Sequence, residues 1–261
     1  HRWLFCGHLA KALKNFNYQP DNEGDKILFE ITNDHWESAE NGSESANKIL
    51  SEIAVSNDGK LALKVIKILG KKRSTEGMDS LIQQIKSTDH RRRIRAIETL
   101  GEIGSSAALP ALVEYLQFDS KNEPYFDSGR EKAVRAMGKI GDLAVVPFLL
   151  ELLRDNPHIS GKGDCLSPNS KALVQVLTAF QATEAIPVFV GYLSHSNQIL
   201  REECVKSLQF FNWQPDHLQN KIRWLAALKD WEAIANLGVI AVKPLMRLTE
   251  SKAIFGHTEL M

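Results

Sequence analysis

Phe16-Asn17-Tyr18-Gln19-Pro20-Asp21 returns 195 positions later as Phe211-Asn212-Trp213-Gln214-Pro215-Asp216. The same offset carries Phe29 onto Trp224, Trp36 onto Trp231, Glu37 onto Glu232, Ala46 onto Ala241 and Leu50 onto Leu245. An ungapped match of this reach is an internal duplication. Repeated segments build arrays in which each unit buries its apolar face only by stacking on its neighbours, so the architecture is decided before any residue chemistry is considered.

Between the two copies lie three versions of one helix ending: Ile66-Lys67-Ile68-Leu69-Gly70, Ile97-Glu98-Thr99-Leu100-Gly101 and Val134-Arg135-Ala136-Met137-Gly138. Each stops on glycine, the expected left-handed C-cap. Pro110 and Pro147 follow the second and third of these glycines and open helices of the form Pro-x-Leu, while Asp79 holds that place after the first. Proline suits the first helical turn, where its missing N–H is not needed. Leu61, Val65, Ile66 and Leu69, then Ile94, Ile97 and Leu100, form stripes of helical period. The unit is a helix, a turn and a second helix.

Six units are predicted, at about 3–55, 58–86, 90–117, 128–154, 168–193 and 197–250, in one array covering 1–261. The fifth is degenerate, with Phe180-Gln181 in place of Leu-Gly. The first and sixth carry insertions at 17–43 and 212–238. Pro215 is expected to open a helix with Asp216 in its first turn, and Asp230 to start a second. Trp213, Trp224 and Trp231, matched by Tyr18, Phe29 and Trp36, are expected to anchor a small aromatic core in each insertion.

Composition narrows the chemistry. An apolar share of 43% against 25% charged residues is ample for a core. Lys plus Arg and Asp plus Glu both number 32, so no global field steers the chain to nucleic acid. Cys6, Cys165 and Cys204 make no CxxC pair and signal neither a disulfide framework nor zinc, which points to a reducing, cytoplasmic setting. The longest apolar stretch, Leu143 to Leu153, is far short of the roughly 20 residues a membrane span needs. No GxxxxGK[ST] loop, His-x-x-x-His pair or nucleophile elbow is present, so no cofactor, metal or catalytic residue is expected. The absence of an initiator Met and the apolar opening half-repeat read as a piece of a longer protein.

Arg93-Ile94-Arg95-Ala96-Ile97-Glu98-Thr99-Leu100-Gly101-Glu102-Ile103-Gly104, followed by Ala108-Leu109-Pro110-Ala111-Leu112, resembles the short HEAT repeat of phycobilisome lyases. Arg130 to Gly141 with Val145-Val146-Pro147-Phe148-Leu149 is similar. The resemblance implies an all-α fold, a right-handed α-α superhelix of HEAT-like type, in which first helices form the outer wall and second helices the concave face. It further implies a bilin as a possible partner and a bilin lyase or phycobiliprotein-chaperone activity as one alternative. The chain has no His-Glu dipeptide, unlike the HEAT-repeat hydroxylases that hold iron through such pairs.

The leading expectation is a non-catalytic scaffold for a protein partner. Glu114, Gln117, Glu151 and Arg154 are polar positions on apolar second helices and are its expected concave contacts. Loops 119–128, with Tyr125 and Phe126, and 156–170, with His158, emerge on one edge and form a second candidate patch. Charge gives a third. Asp21 to Asp58 hold ten acidic and two basic residues, whereas Lys60 to Arg95 hold eleven basic and three acidic. Lys64, Lys67 and Arg95 belong to this basic ridge, read either as a solvated face balanced by the acidic first unit or as a track for nucleic acid or an acidic partner.

Overall fold

The computed structural model describes residues 20–42, 44–55, 59–72, 77–118, 128–154, 168–195 and 197–250. Among them every regular element is helical, and the fold is an all-α solenoid of HEAT-like hairpins. Two compact units divide the chain, His1–Asn122 and Glu123–Met261.

The first unit holds α1 (Glu23–Thr32), α2 (Glu37–Asn41), α3 (Glu44–Ala54), α4 (Gly59–Lys72), α5 (Met78–Ile85), α6 (His90–Ile103) and α7 (Leu109–Phe118). First helices stack on first helices, α4 on α6, and second on second, α3 on α5 and α5 on α7. Buried Leu50, Ile53, Val65, Ile66, Leu69, Leu81, Ile97, Leu100, Leu112 and Leu116 fill the space between these layers. The second unit repeats the plan with α8 (Ser128–Ile140), α9 (Val146–Arg154), α10 (Pro168–Ala179), α11 (Ile186–Tyr192) and α12 (Gln198–Phe210), in which α10 packs on both α8 and α12. It continues into α13 (Leu218–Ala227), α14 (Trp231–Asn236) and α15 (Val242–Glu250). Pro110, Pro147 and Pro187 are each the second residue of their helix, and a short 3-10 turn precedes it in every case.

The repeat glycines do a different job from the one their spacing predicts. Gly70, Gly101 and Gly138 lie inside α4, α6 and α8 and are not caps. A Cβ at Gly138 would stand 2.8 Å from Val176 of α10, and one at Gly70 would stand 3.0 Å from Thr99 of α6. At Gly70 and Gly138 adjacent first helices approach too closely for a side chain. The left-handed caps come three residues later, at Gly104 (φ 75°) and Gly141 (φ 78°). Gln181 (φ 55°) and Asn212 (φ 52°) hold the same conformation after α10 and α12, so Gln181 replaces the capping glycine and not the packing one. A non-glycine residue there costs roughly 1 kcal/mol.

Asp89 caps α6 by accepting from the backbone N–H of Arg91 and Arg92, which offsets the basic first turn. Arg93 donates to the Ser87 carbonyl at 3.2 Å, and Arg201 to that of His195 at 2.6 Å, each six residues back. These arginines tie the start of a first helix to the loop that delivers it. Cys204 is fully buried in α12, and burial pushes its thiol pKa up, away from reactivity.

Candidate protein-binding surfaces

The two insertions share one backbone. α1 runs from Glu23 to Thr32 and α13 from Leu218 to Ala227, the same bounds at the duplication offset. Asn22 and His217 cap them with side chains that accept from Asp25 N–H and Asn220 N–H. Each helix closes on a matching turn. Asn33 donates to the Phe29 carbonyl at 3.2 Å and His35 to that of Glu30 at 2.8 Å; Leu228 and Asp230 repeat these bonds to Trp224 and Leu225 at 3.0 and 2.9 Å. Asp34 (φ 63°) and Lys229 (φ 59°) are the left-handed residues that permit the turn.

Their buried residues also coincide. Ile27, Ile31, Ala39, Ala46 and Ile53 are buried in the first copy, and Ile222, Ala226, Ile234, Ala241 and Leu248 in the second. The cores of the insertions are therefore aliphatic, not aromatic. Trp213 and Trp224 are half-buried and meet edge to face, with ring centres 5.5 Å apart. Phe29 and Trp36 are half-buried in the first copy, and Trp231 is exposed. An indole gives up its N–H solvation when fully buried, so a flank position suits it better. Pro215 and Asp216 precede the second-copy helix and do not open it, since it starts at Leu218. Asp216 instead accepts from the Asn220 side chain at 2.7 Å, a bond that holds its carboxyl below the usual range.

What the copies show outward differs. In the first, the Trp36 indole donates to Asp34 Oδ1 at 2.8 Å and Lys64 of α4 donates to the same oxygen at 2.9 Å. The Lys64 ammonium also lies 4.1 Å from the centre of the Trp36 ring, a cation–π contact. These hydrogen bonds, that of Trp36 foremost, hold the Asp34 carboxyl below its ordinary range. In the second copy Lys229 stands where Asp34 does, so that constellation is absent.

The largest divergence is on the second helix. α3 packs against α4 and α5, and Ser51 on it is only 8% exposed, lying beside Gly77. The Ser51 counterpart, Met246 of α15, is 57% exposed. Val242, one helical turn earlier, is 51% exposed, and Val239 and Ile240 on the preceding turn are 87% and 61% exposed. Their first-copy counterparts are Asn47, Glu44 and Ser45. α15 and the turn before it thus display four large exposed apolar side chains, with exposed Lys243 and Arg247 on the same helix, at positions that are polar in the first copy. Contiguous exposed apolar surface of this kind is a mark of protein interaction.

The other expected contacts are dispersed. Glu114 is exposed on α7 and pairs with Lys86 at 2.8 Å, and Gln117 is exposed one turn on. Glu151 and Arg154 are exposed on α9 in the other unit. Tyr125, Phe126, His158 and Tyr18 lie outside the described residues. On the basic ridge of the first unit, Lys64 pairs with Asp34, Lys71 with Glu40 at 3.8 Å and Arg95 with Glu98 at 3.3 Å, while Lys67 is exposed; in the second unit Arg135 pairs with Glu131 at 2.8 Å. The acidic first insertion thus neutralises two lysines of α4, the solvated and balanced reading of the charge reversal. No described helix is long and apolar enough to cross a membrane.

The sequence of the array matches two family models, HEAT repeats over residues 46–123 and the PBS lyase HEAT-like repeat over residues 129–155. The resemblance read from the glycine and proline spacing is therefore shown. A solved chain in the complex of CpcE and CpcF of phycocyanin lyase from Nostoc sp. PCC7120 has the same fold. It superimposes with a TM-score of 0.52 at 21% identity, covering 81% of this chain and 95% of that one. No curated protein matches the chain.

Proposed function

We propose that this chain, which carries HEAT and PBS lyase HEAT-like repeats, is a protein-binding scaffold whose principal docking surface is the apolar face of α15 and the turn before it. One observation carries the reading. Val239, Ile240, Val242 and Met246 are exposed where the duplicated copy is polar or is covered by a helical hairpin. The element that fits that face is an amphipathic helical hairpin, the kind of structure that already covers α3, whether it belongs to a partner chain or to a further repeat of the same protein. The structural neighbour comes from a complex of two lyase subunits, which supports a protein partner of this chain without identifying it. In this reading Glu114, Gln117, Glu151 and Arg154 are secondary polar contacts, as solenoids bind over extended surfaces. Crosslinking mass spectrometry on the captured complex tests the proposal. Crosslinks to Lys243, on the rim of the patch, are expected; crosslinks confined to α7 and α9 would move the docking site elsewhere.

A second reading, a bilin lyase or phycobiliprotein chaperone, is favoured by the PBS lyase HEAT-like repeat and by the neighbour's description. Incubation with a bilin and an apo-phycobiliprotein decides it. A shift in bilin absorbance that depends on this chain supports that reading, and an unchanged spectrum removes it.

A further inference from the structure

A cleft of about 410 Å³ opens between α1 and α2, lined by Glu23, Lys26, Ile27, Glu37, Asn41 and Gly42. The duplication supplies an internal control for it. Lys26, Ile27, Glu37 and Asn41 recur unchanged as Lys221, Ile222, Glu232 and Asn236 in the second copy, so four of the six lining residues are identical. The two that differ change the charge and the bulk of the lining. Glu23 is replaced by Leu218 and Gly42 by Leu237, and both leucines pack against the buried cluster of Ile222, Ala226 and Ile234. The backbone does not require glycine at position 42, because that residue caps α2 with φ −71° and ψ 168°, a conformation any residue adopts. The first copy therefore keeps four of the lining residues and has a carboxylate and a glycine where the second copy has leucines packed on its buried cluster.

We infer that this cleft is a receptor for a bulky aliphatic side chain presented by a basic peptide segment. The second copy shows the preference of such a site: there, leucines pack against the buried cluster that includes Ile222, the counterpart of Ile27 in the cleft lining. Its charge preference follows from the rim, where Glu23 and Glu37 outnumber Lys26, within a stretch from Asp21 to Asp58 that has ten acidic and two basic residues. A leucine flanked by lysine or arginine places its apolar end on Ile27 and its cationic neighbour against the carboxylates. Burying that side chain removes apolar surface from water, and the charges fix its orientation. The inference deepens the protein-binding reading but uses a different surface, and its test is independent of the α15 face.

The test is a calorimetric or fluorescence-polarisation titration of the whole chain with a short peptide of two central leucines flanked by lysines. Two control peptides replace the leucines by alanine or the lysines by glutamate. Binding of the first peptide alone is expected, and it should weaken about tenfold or more in the Glu23→Leu/Gly42→Leu variant, which gives the cleft the second copy's two leucines. That variant should melt at or above the wild-type temperature; should it fold poorly, Glu37→Ala serves instead and is expected to weaken binding as well. Equal binding of all three peptides, binding that survives both variants, or no binding to the wild type would overturn the inference. A failed titration leaves capture through α15 standing, and loss of capture by an α15 variant leaves the peptide titration unchanged.

Discussion

Residues 22–42 and 217–237 fold into the same helix, turn and short helix over the same buried positions, yet one presents an acidic cleft tied to α4 and the other an exposed Lys229 leading into an apolar patch. The difference teaches which residues a duplicated element must keep. Ile27 and Ile222, Ala46 and Ala241, and the left-handed turn of Asp34 and Lys229 are shared because core volume and backbone geometry permit few substitutes. The outer side of the second helix, buried at Ser51 and exposed at Met246, carries no such constraint. Asn47 stands against Val242, and Ser51 against Met246, so one framework offers two unlike surfaces.

The strongest way to break the comparison is to remove the shared core from each side. Ile27→Ala and Ile222→Ala should each destabilise their unit by about 2 to 5 kcal/mol in denaturant titrations, since both are essentially fully buried. A large loss for one and none for the other would mean that the copies are not energetically equivalent. A smaller effect separates the two turns. Lys229→Gly should raise stability by about 1 kcal/mol, because the left-handed backbone there is relieved. Asp34→Gly should give no such gain, since the same relief is set against the lost bonds to Trp36 and Lys64. Equal gains would show that the Asp34 constellation is without weight.

The smallest expected effect is a pH dependence confined to the first copy. A carboxyl held below its usual range contributes stability above its unfolded pKa, near 4, and loses it as pH falls through the lower folded value. Protonating Asp34 removes the acceptor of the Trp36 indole and the partner of Lys64. Trp36 emission, isolated by replacing the other tryptophans with phenylalanine, should therefore change below about pH 4 in wild type and not in Asp34→Asn. Trp231, with Lys229 close by in sequence, should show no transition of this origin.

Much of the fold is legible in the chain because repetition multiplies weak signals. The offset linking Phe16 with Phe211 predicts the paired insertions, and the Pro110 and Pro147 spacing predicts the second helices. The glycines mislead because sequence spacing cannot tell a helix cap from a point of close helix approach. The distances from Gly70 to Thr99 and from Gly138 to Val176, and the positive φ of Gly104 and Gly141, distinguish them. The aromatic pattern likewise marks the insertions but not their cores, since half-buried Trp213 and Trp224 and buried Ile222 lie within one short stretch of chain. The cleft is less visible, for it rests on two single positions, one at the start of α1 and one at the C-cap of α2. Its signal is nonetheless present, at Glu23 against Leu218 and Gly42 against Leu237. The α15 patch needs exposure values, because Val242 and Met246 in sequence are indistinguishable from residues of a covered stripe.

The central claim is that the divergent face of the second copy, and not the shared framework, holds the partner. Its most direct test is to compare partner capture by wild type, by Val242→Asp/Met246→Asp and by the matched first-copy variant Asn47→Asp, with circular dichroism confirming that each is folded. The account predicts capture by wild type and Asn47→Asp and its loss in the α15 variant at unchanged helicity. Capture undiminished in Val242→Asp/Met246→Asp would contradict it.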